Sequence, residues 1–360
     1  MARILFVSKD NGGSAMTIPL ARVLEFNGHK VFSITEHLAT KRFTDAGFKP
    51  YFGTTKDIAT DPFYFDVYAA LCDIVPDIIV VSAGWPIHLE QLFAVFANQM
   101  DIPLVCIEDY WAVSCKIKPA CPNMVLSIDT YGEEIAKKLF HADMRVVFPQ
   151  MELPVFSVGH HEVGAILDAQ NDKKGIQIFV EKTQDFEFAV TLIGAGEQTA
   201  SQIKLILKCM TKSTGRWCLV PRFHPKTLEW KGEDGRVFKD VWNELLQPFA
   251  DRVVYVPEVK TETVVAAADI VASGFGTMMT GAAYIGKPTL CLKTPETMAD
   301  LNWQSGGWLQ EVPAVALQCA DVVTEPTDLS HFIGKTYSRA QEEFQPYDPE
   351  KAYVAIAQLL

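Results

Sequence analysis

Two glycine- or cation-bearing turns and a scatter of carboxylates hold the residues whose types and spacing could do chemistry. The first turn is Ser273-Gly274-Phe275-Gly276-Thr277, which follows the apolar run 270–272 and opens a small-residue helix pattern stopped by Gly286-Lys287-Pro288. Glycine in a strand-to-helix turn lets the backbone approach a ligand closely, and the N–H groups and dipole at a helix start attract an anion. A phosphate is the obvious guest, although so loose a glycine pattern can equally serve only to turn the chain. The second turn puts Arg222, His224 and Lys226 just past another apolar strand, where open α/β sheets carry their ligands. His224 could pass a hydrogen bond or a proton to a departing phosphate, with Arg222 or Lys226 adding positive charge. The alternatives are a histidine that ends a strand beside Pro225 and a solvated basic rim.

Candidates for acid–base work are the carboxylates just past strand ends, Asp10 and the pair Glu108-Asp109. Partial burial would raise either toward useful basicity, while the plainer role is to cap the next helix or turn. His37 and His88 stand at comparable positions and compete with them, and Trp85, Tyr110 and Trp111 lie nearby as possible faces for a sugar ring or as packing. His160-His161 has no carboxylate or cysteine beside it, which favours a surface or packing role over a metal.

The elements that must position these residues follow from periodicity. Short apolar runs at 3–8, 31–34, 77–82, 102–107 and 125–128 alternate with helical patterns at 14–26, 39–46, 62–74, 90–100 and 133–140, the signature of a parallel sheet covered by helices. Prolines at 149 and 154 break the pattern. Beyond them the alternation restarts, with strands at 188–193, 218–220, 253–256, 270–272 and 289–292 and with Gly194-Ala195-Gly196-Glu197 echoing the first strand-turn-helix unit. Residues 175–184 read as extended, and 329–360 as mostly helical. The expected plan is a first domain over 1–152, a second over 153–340, and a C-terminal helix at 341–360 that could pack back on the first.

Composition sets the outer limits. A chain of 360 residues exceeds one ordinary domain, and 49% hydrophobic with 21% charged residues suits packed cores rather than disorder. The net charge of −12 argues against nucleic acid as a partner, because the phosphate backbone calls for a basic face. Eight cysteines without a CxxC pair read as reduced thiols of a cytoplasmic protein, and no run reaches membrane-spanning length.

On these residues the chain resembles the two-domain GT-B glycosyltransferases and their relatives over nearly its whole length. The match rests on the first strand with its Asn11-Gly12-Gly13 turn, on Ile193-Gly194-Ala195-Gly196-Glu197, and on residues 268–277 followed by Gly286-Lys287-Pro288. The resemblance implies two Rossmann-like domains facing a cleft and a nucleotide-sugar donor held mainly by the second. It casts Arg222, Lys226, Ser273, Gly274, Gly276 and Thr277, with Gly12 and Gly13, as donor phosphate or nucleotide contacts, and Glu296 and Asp300 as donor-sugar contacts. His224, Asp10 and Asp109 become the catalytic groups of a glycosyl transfer to a hydroxyl, with no metal and no separate cofactor. Arg222-Phe223-His224-Pro225 with Ser273 is similar to motifs of transferases that use cytidine nucleotides. The chain is similar also to UDP-N-acetylglucosamine 2-epimerases, though Thr277-Met278-Met279-Thr280 stands where those enzymes carry acidic residues. Epimerase, hydrolase and non-catalytic nucleotide-sugar binder therefore stand as alternatives. The acceptor would be a sugar or a lipid-linked sugar, which leaves room for peripheral contact with a membrane.

Overall fold

The structure, a computed structural model, describes residues 1–54, 67–82, 88–147, 153–224, 227–232 and 234–360, with side chains for all of these except 52–54 and 142–147. Lys226, Pro225, Trp85 and the start of the 62–74 helix lie outside the described residues. The chain divides into two compact units, Met1–His161 with Pro346–Leu360, and Glu162–Gln345.

The first unit runs β1 (Arg3–Ser8), α1 (Asn11–Phe26), β2 (Lys30–Glu36), α2 (His37–Asp45), β3 (Phe52–Thr54), α3 (Val67–Ile74), β4 (Ile78–Ser82), α4 (Leu89–Gln99), β5 (Leu104–Ile107), β6 (Met124–Ser127), α5 (Thr130–Val147) and β7 (Val155–Ser157). Its strands are parallel in the order β3-β2-β1-β4-β5-β6-β7. Ile4 to Val7 and Ile78 to Val81 are fully buried, as unbroken apolar runs must be when helices cover both faces. Since β7 completes this sheet, the first unit extends past residue 152 to His161.

The second unit runs α6 (His161–Ala169), α7 (Lys173–Thr183), β8 (Phe188–Gly194), α8 (Thr199–Lys212), β9 (Trp217–Phe223), α9 (Phe238–Leu246), α10 (Thr261–Ala267), β10 (Ile270–Ser273), α11 (Thr277–Tyr284), β11 (Thr289–Leu292), α12 (Pro295–Gln304), α13 (Pro313–Ala316), β12 (Asp321–Val323) and α14 (Ala340–Glu343). Its parallel order is β12-β11-β10-β8-β9. The last helix, α15 (Pro349–Ile356), packs on α1 of the first unit. In both sheets the first strand has the second on one side and a later strand on the other, β4 beside β1 in the first and β10 beside β8 in the second, the Rossmann-like arrangement expected.

Three local readings change. Residues 175–184, read as extended, belong to helix α7: Asp172 caps it by accepting from the Gly175 N–H at 3.0 Å, and Gly175, Phe179 and Thr183 form the buried stripe at helical spacing. The alternation of Ile176, Ile178 and Val180 imitated a strand, but Val180 is exposed. The 253–256 run contributes one bridge, Val253 to Leu219 at the edge of β9, before Pro257 ends it. Residues 329–360 hold a 3₁₀ turn at Leu329–Phe332 and the short α14 and α15 with loops between, rather than mostly helix.

Candidate functional site

In the second unit β9 and β10 flank β8 on opposite sides, so the crevice past the ends of β8 and β10 is the point at which strand order reverses. Ser273 is buried there and donates its hydroxyl to the Ile193 carbonyl at 2.9 Å, tying the two strand ends together. That hydroxyl hydrogen is engaged within the fold, so Ser273 shapes the turn rather than offering a free donor to a ligand. A Cβ at Gly274 would collide with the Gln202 side chain and come within 2.9 Å of Thr297 Cγ2, so this glycine is what lets α8 and α12 approach the turn. Gly276 differs. Among the described residues a Cβ there would meet nothing closer than Ser273 Oγ at 4.0 Å, and no side chain caps the α11 amides behind it. An open space in front of an uncapped helix start is the geometry an anion requires.

His224 follows β9 and is exposed; its N–H donates to the Gly194 carbonyl at 2.8 Å, which fixes it beside the same crevice. Its own carbonyl accepts from the Thr227 N–H and hydroxyl, both at 3.0 Å. Arg222 is otherwise employed. Its guanidinium donates to the carbonyls of Val256 and Val259 at 3.0 and 2.9 Å and to Thr261 Oγ1 at 3.1 and 3.0 Å, and burial holds it below its usual range. It therefore braces the loop before α10. Thr277, the first residue of α11, donates its hydroxyl to Glu162, whose carboxyl is raised to about 7 chiefly by loss of water. On α12, Glu296 folds onto its own backbone N–H, which with Thr294 and Ser201 holds it below the usual carboxylate range. Asp300, one turn on, is raised by burial and accepts from Gln304 at 3.0 Å.

In the first unit the turn after β1 is filled by the chain's own acids. Asp10 caps α1, accepting from the Gly13 N–H at 3.0 Å. A Cβ at Gly12 would run into the Asp109 carboxylate, and one at Gly13 into the Ser82 hydroxyl. These glycines are small so that β4 and β5 can bring side chains against the start of α1, and the positive end of that helix faces carboxylates in place of a phosphate. Asp10 and Asp109 thus gather at one helix end, whereas Glu108 turns inward. It is fully buried, accepts from Ser114 and Ser127 hydroxyls at 2.7 and 2.8 Å, and is raised to about 7 by desolvation. His160, buried and lowered to about 4, approaches the Asp109 carbonyl with Nε2 at 2.9 Å. Because burial keeps the ring neutral, that nitrogen carries the hydrogen and donates. Of the competing histidines, His37 is half-buried at a positive φ of 48° and His88 is exposed. Trp111 is packing: it is buried, with its indole N–H on Asp129 at 2.7 Å and Tyr110 edge-on at 5.2 Å.

Two carboxyls escaped the sequence reading, Glu162 and Glu90. Glu90 is fully buried at the start of α4 near the buried Lys9–Glu36 pair, neither oxygen has a hydrogen-bond partner among the described residues, and desolvation lifts it to about 8. Both stand in the first turn of a helix, where a glutamate is an ordinary residue, so no local signal marked their burial.

No family model matches the chain, and no curated protein matches it by sequence. Solved structures do match in shape. S. aureus MnaA, in a structure with UDP, superposes with a TM-score of 0.65 at 13% identity over 100% of this chain and 98% of that one. The Methanocaldococcus jannaschii UDP-GlcNAc 2-epimerase, in complex with UDP-GlcNAc and UDP, gives 0.63 at 13% identity over 99% of each chain. Anabaena HepE, in complex with UDP, gives 0.60 at 14% identity over 99% and 98%. At such identities the likeness is one of fold, and the fold is GT-B-like.

Proposed function

We propose that this chain is an enzyme acting on a nucleotide sugar, with transfer of the sugar to a hydroxyl acceptor as the leading activity. The observation that carries the reading is the open space before the uncapped start of α11 at the strand-order reversal of the second unit. Backbone N–H groups there would hold the donor's phosphates, and His224 would give a hydrogen bond or proton to the departing phosphate as charge develops. Three chains of similar fold are described in complex with UDP or UDP-GlcNAc, which supports this ligand class. In the first unit, the groups proposed to accept the hydroxyl proton are Asp10 and Asp109, which gather at the start of α1. Glu296 and Asp300 lie four residues apart on one face of α12 and could meet the donor sugar.

Epimerisation is the second reading, favoured by the 2-epimerases among the similar folds. A thermal-shift panel of UDP, CDP, CMP, GDP and dTDP compounds tests the ligand class. A ligand at a hundred times its dissociation constant stabilises by about 2.7 kcal/mol, or roughly 5–11 °C for units of this size. No shift with any member would defeat the proposal. Product analysis of the stabilising nucleotide sugar with and without acceptor then separates transfer from epimerisation.

A further inference from the structure

The carboxylates at the start of α1 have a cation for a neighbour. Arg42, in the last turn of α2, is half-buried, and its Nη1 donates to the Asn11 carbonyl at 3.0 Å and to Asn11 Oδ1 at 2.6 Å. Asn11 is the first residue of α1, beside the ends of β1 and β4, where the strand order of the first sheet reverses and an open α/β sheet holds its ligand. Asp109 closes on the next residue, Gly12. Because both Asn11 oxygens take the one terminal nitrogen, they orient the guanidinium and leave Nε and Nη2 without a hydrogen-bond partner among the described residues. Those two nitrogens form the edge that grips a carboxylate or a phosphate with parallel bonds.

No carboxylate among the described residues pairs with this cation. Asp45, on the same helix, is taken by Lys41 at 3.1 Å, and Asp10 caps α1. Burial holds the guanidinium below its usual range, with no opposite charge offsetting it. His161 belongs to the same corner: the Arg42 charge acts on it, its ring lies 4.3 Å from that of His160, and its buried Nδ1 has no hydrogen-bond partner among the described residues. A partly desolvated cation without a counter-charge is stabilised by an anion that arrives from outside.

We propose that Arg42 is a binding residue for the acceptor and that the acceptor is acidic: its oxyanion, a carboxylate or a phosphate, sits on the Nε–Nη2 edge of Arg42 while a hydroxyl of the same molecule lies toward Asp10 and Asp109. This rests on the transfer reading given above and names the class of molecule that receives the sugar. The two aspartates repel a bare anion, so the hydroxyl is what recommends a sugar acid or a sugar phosphate over inorganic phosphate.

The probes are methyl glucuronide, glucose 1-phosphate and the neutral methyl glucoside, titrated into the full chain at fixed ionic strength, with and without UDP, and followed by saturation-transfer NMR. One of the two anions should bind about tenfold or more tightly than methyl glucoside, and which one it is separates an acidic sugar from a phosphate-linked one. Arg42→Gln should bring that anion to within about twofold of methyl glucoside. Arg42→Lys keeps the charge without the two-pronged edge, should lose most of the preference, and decides alone if Arg42→Gln fails to fold. Transfer from a nucleotide sugar that stabilises the protein should favour the same anion over methyl glucoside, through KM, and lose that advantage in Arg42→Gln. Wild-type protein that binds neither anion better than methyl glucoside overturns the proposal, as does a preference that survives in Arg42→Gln or transfer that ignores the anion. Failure of every nucleotide to bind sinks the transfer reading, and this inference with it, whereas nucleotide binding without an Arg42-dependent preference for the anion sinks this inference alone.

Discussion

At the scale of single residues, His224 and Gly276 divide the proposed chemistry between them. His224 is exposed and its backbone N–H is fixed on Gly194, so His224→Ala should leave the fold intact and act on turnover. A group that assists a leaving phosphate works as charge develops in the transition state, so kcat should fall by about 10² to 10⁴ with little change in donor affinity. Steady-state kinetics beside a binding isotherm checks this, and unchanged kcat would remove His224 from the mechanism. Gly276→Val should do the reverse. The new side chain fills the space before α11, so nucleotide affinity should drop about tenfold or more, while a backbone at φ 157° and ψ 155°, a region nearly reserved for glycine, should cost about 1–3 kcal/mol of unfolding free energy. A folded Gly276→Val protein with wild-type affinity would mean that no phosphate sits there.

At the scale of elements, the ends of strands decide which polar groups remain for a ligand. Arg222 stood in the sequence as a phosphate contact, yet β9 delivers its guanidinium to the carbonyls of the loop before α10. Removing it leaves those acceptors unsatisfied, so Arg222→Ala should cost about 1–3 kcal/mol of stability, read as a lower melting temperature, with the nucleotide dissociation constant little changed. A phosphate ligand would show the opposite pattern. Ser273 likewise serves by joining β10 to β8. In the first unit the start of α1 is taken by Asp10 and closed in by Asp109, so of the two glycine turns that look alike in sequence only the second has open space before its helix.

At the scale of the whole molecule, buried ionisable groups set a pH window for stability. Glu90 at about 8 and Glu108 at about 7 hold protons in the fold that the unfolded chain releases near pH 4.5, so each lowers stability as pH rises from about 4.5 through its folded value. His160, lowered to about 4, acts on the other side: the unfolded chain gains a proton below about 6.5 that the fold refuses, so stability is lost as pH falls from there. Between about pH 4.5 and 6.5 the two carboxyls outweigh the single histidine, so these groups together place the stability maximum near pH 4.5. Glu90→Gln should flatten the alkaline limb, gaining on the order of 1–3 kcal/mol over wild type at pH 8.5 relative to pH 5.5 in denaturant unfolding. Parallel pH profiles for the two proteins would remove Glu90 as the cause.

Periodicity alone determined the alternation of strands and helices, because an apolar run between helical patterns has few ways to bury itself other than a covered parallel sheet. It likewise marked Gly274, Gly276 and His224, since strand-end turns are local features. It misread 175–184, where three β-branched residues imitate a strand and only the Asp172 cap with the Phe179 stripe restores the helix. What tertiary structure alone decided is which polar groups are already partnered. Arg222 meets a loop more than thirty residues away, Asp109 meets Gly12 across the sheet, and Glu162 meets Thr277 from a helix more than a hundred residues earlier. Hydrogen bonding and desolvation depend on what is near in space, and at those separations the order of residues along the chain carries no record of it.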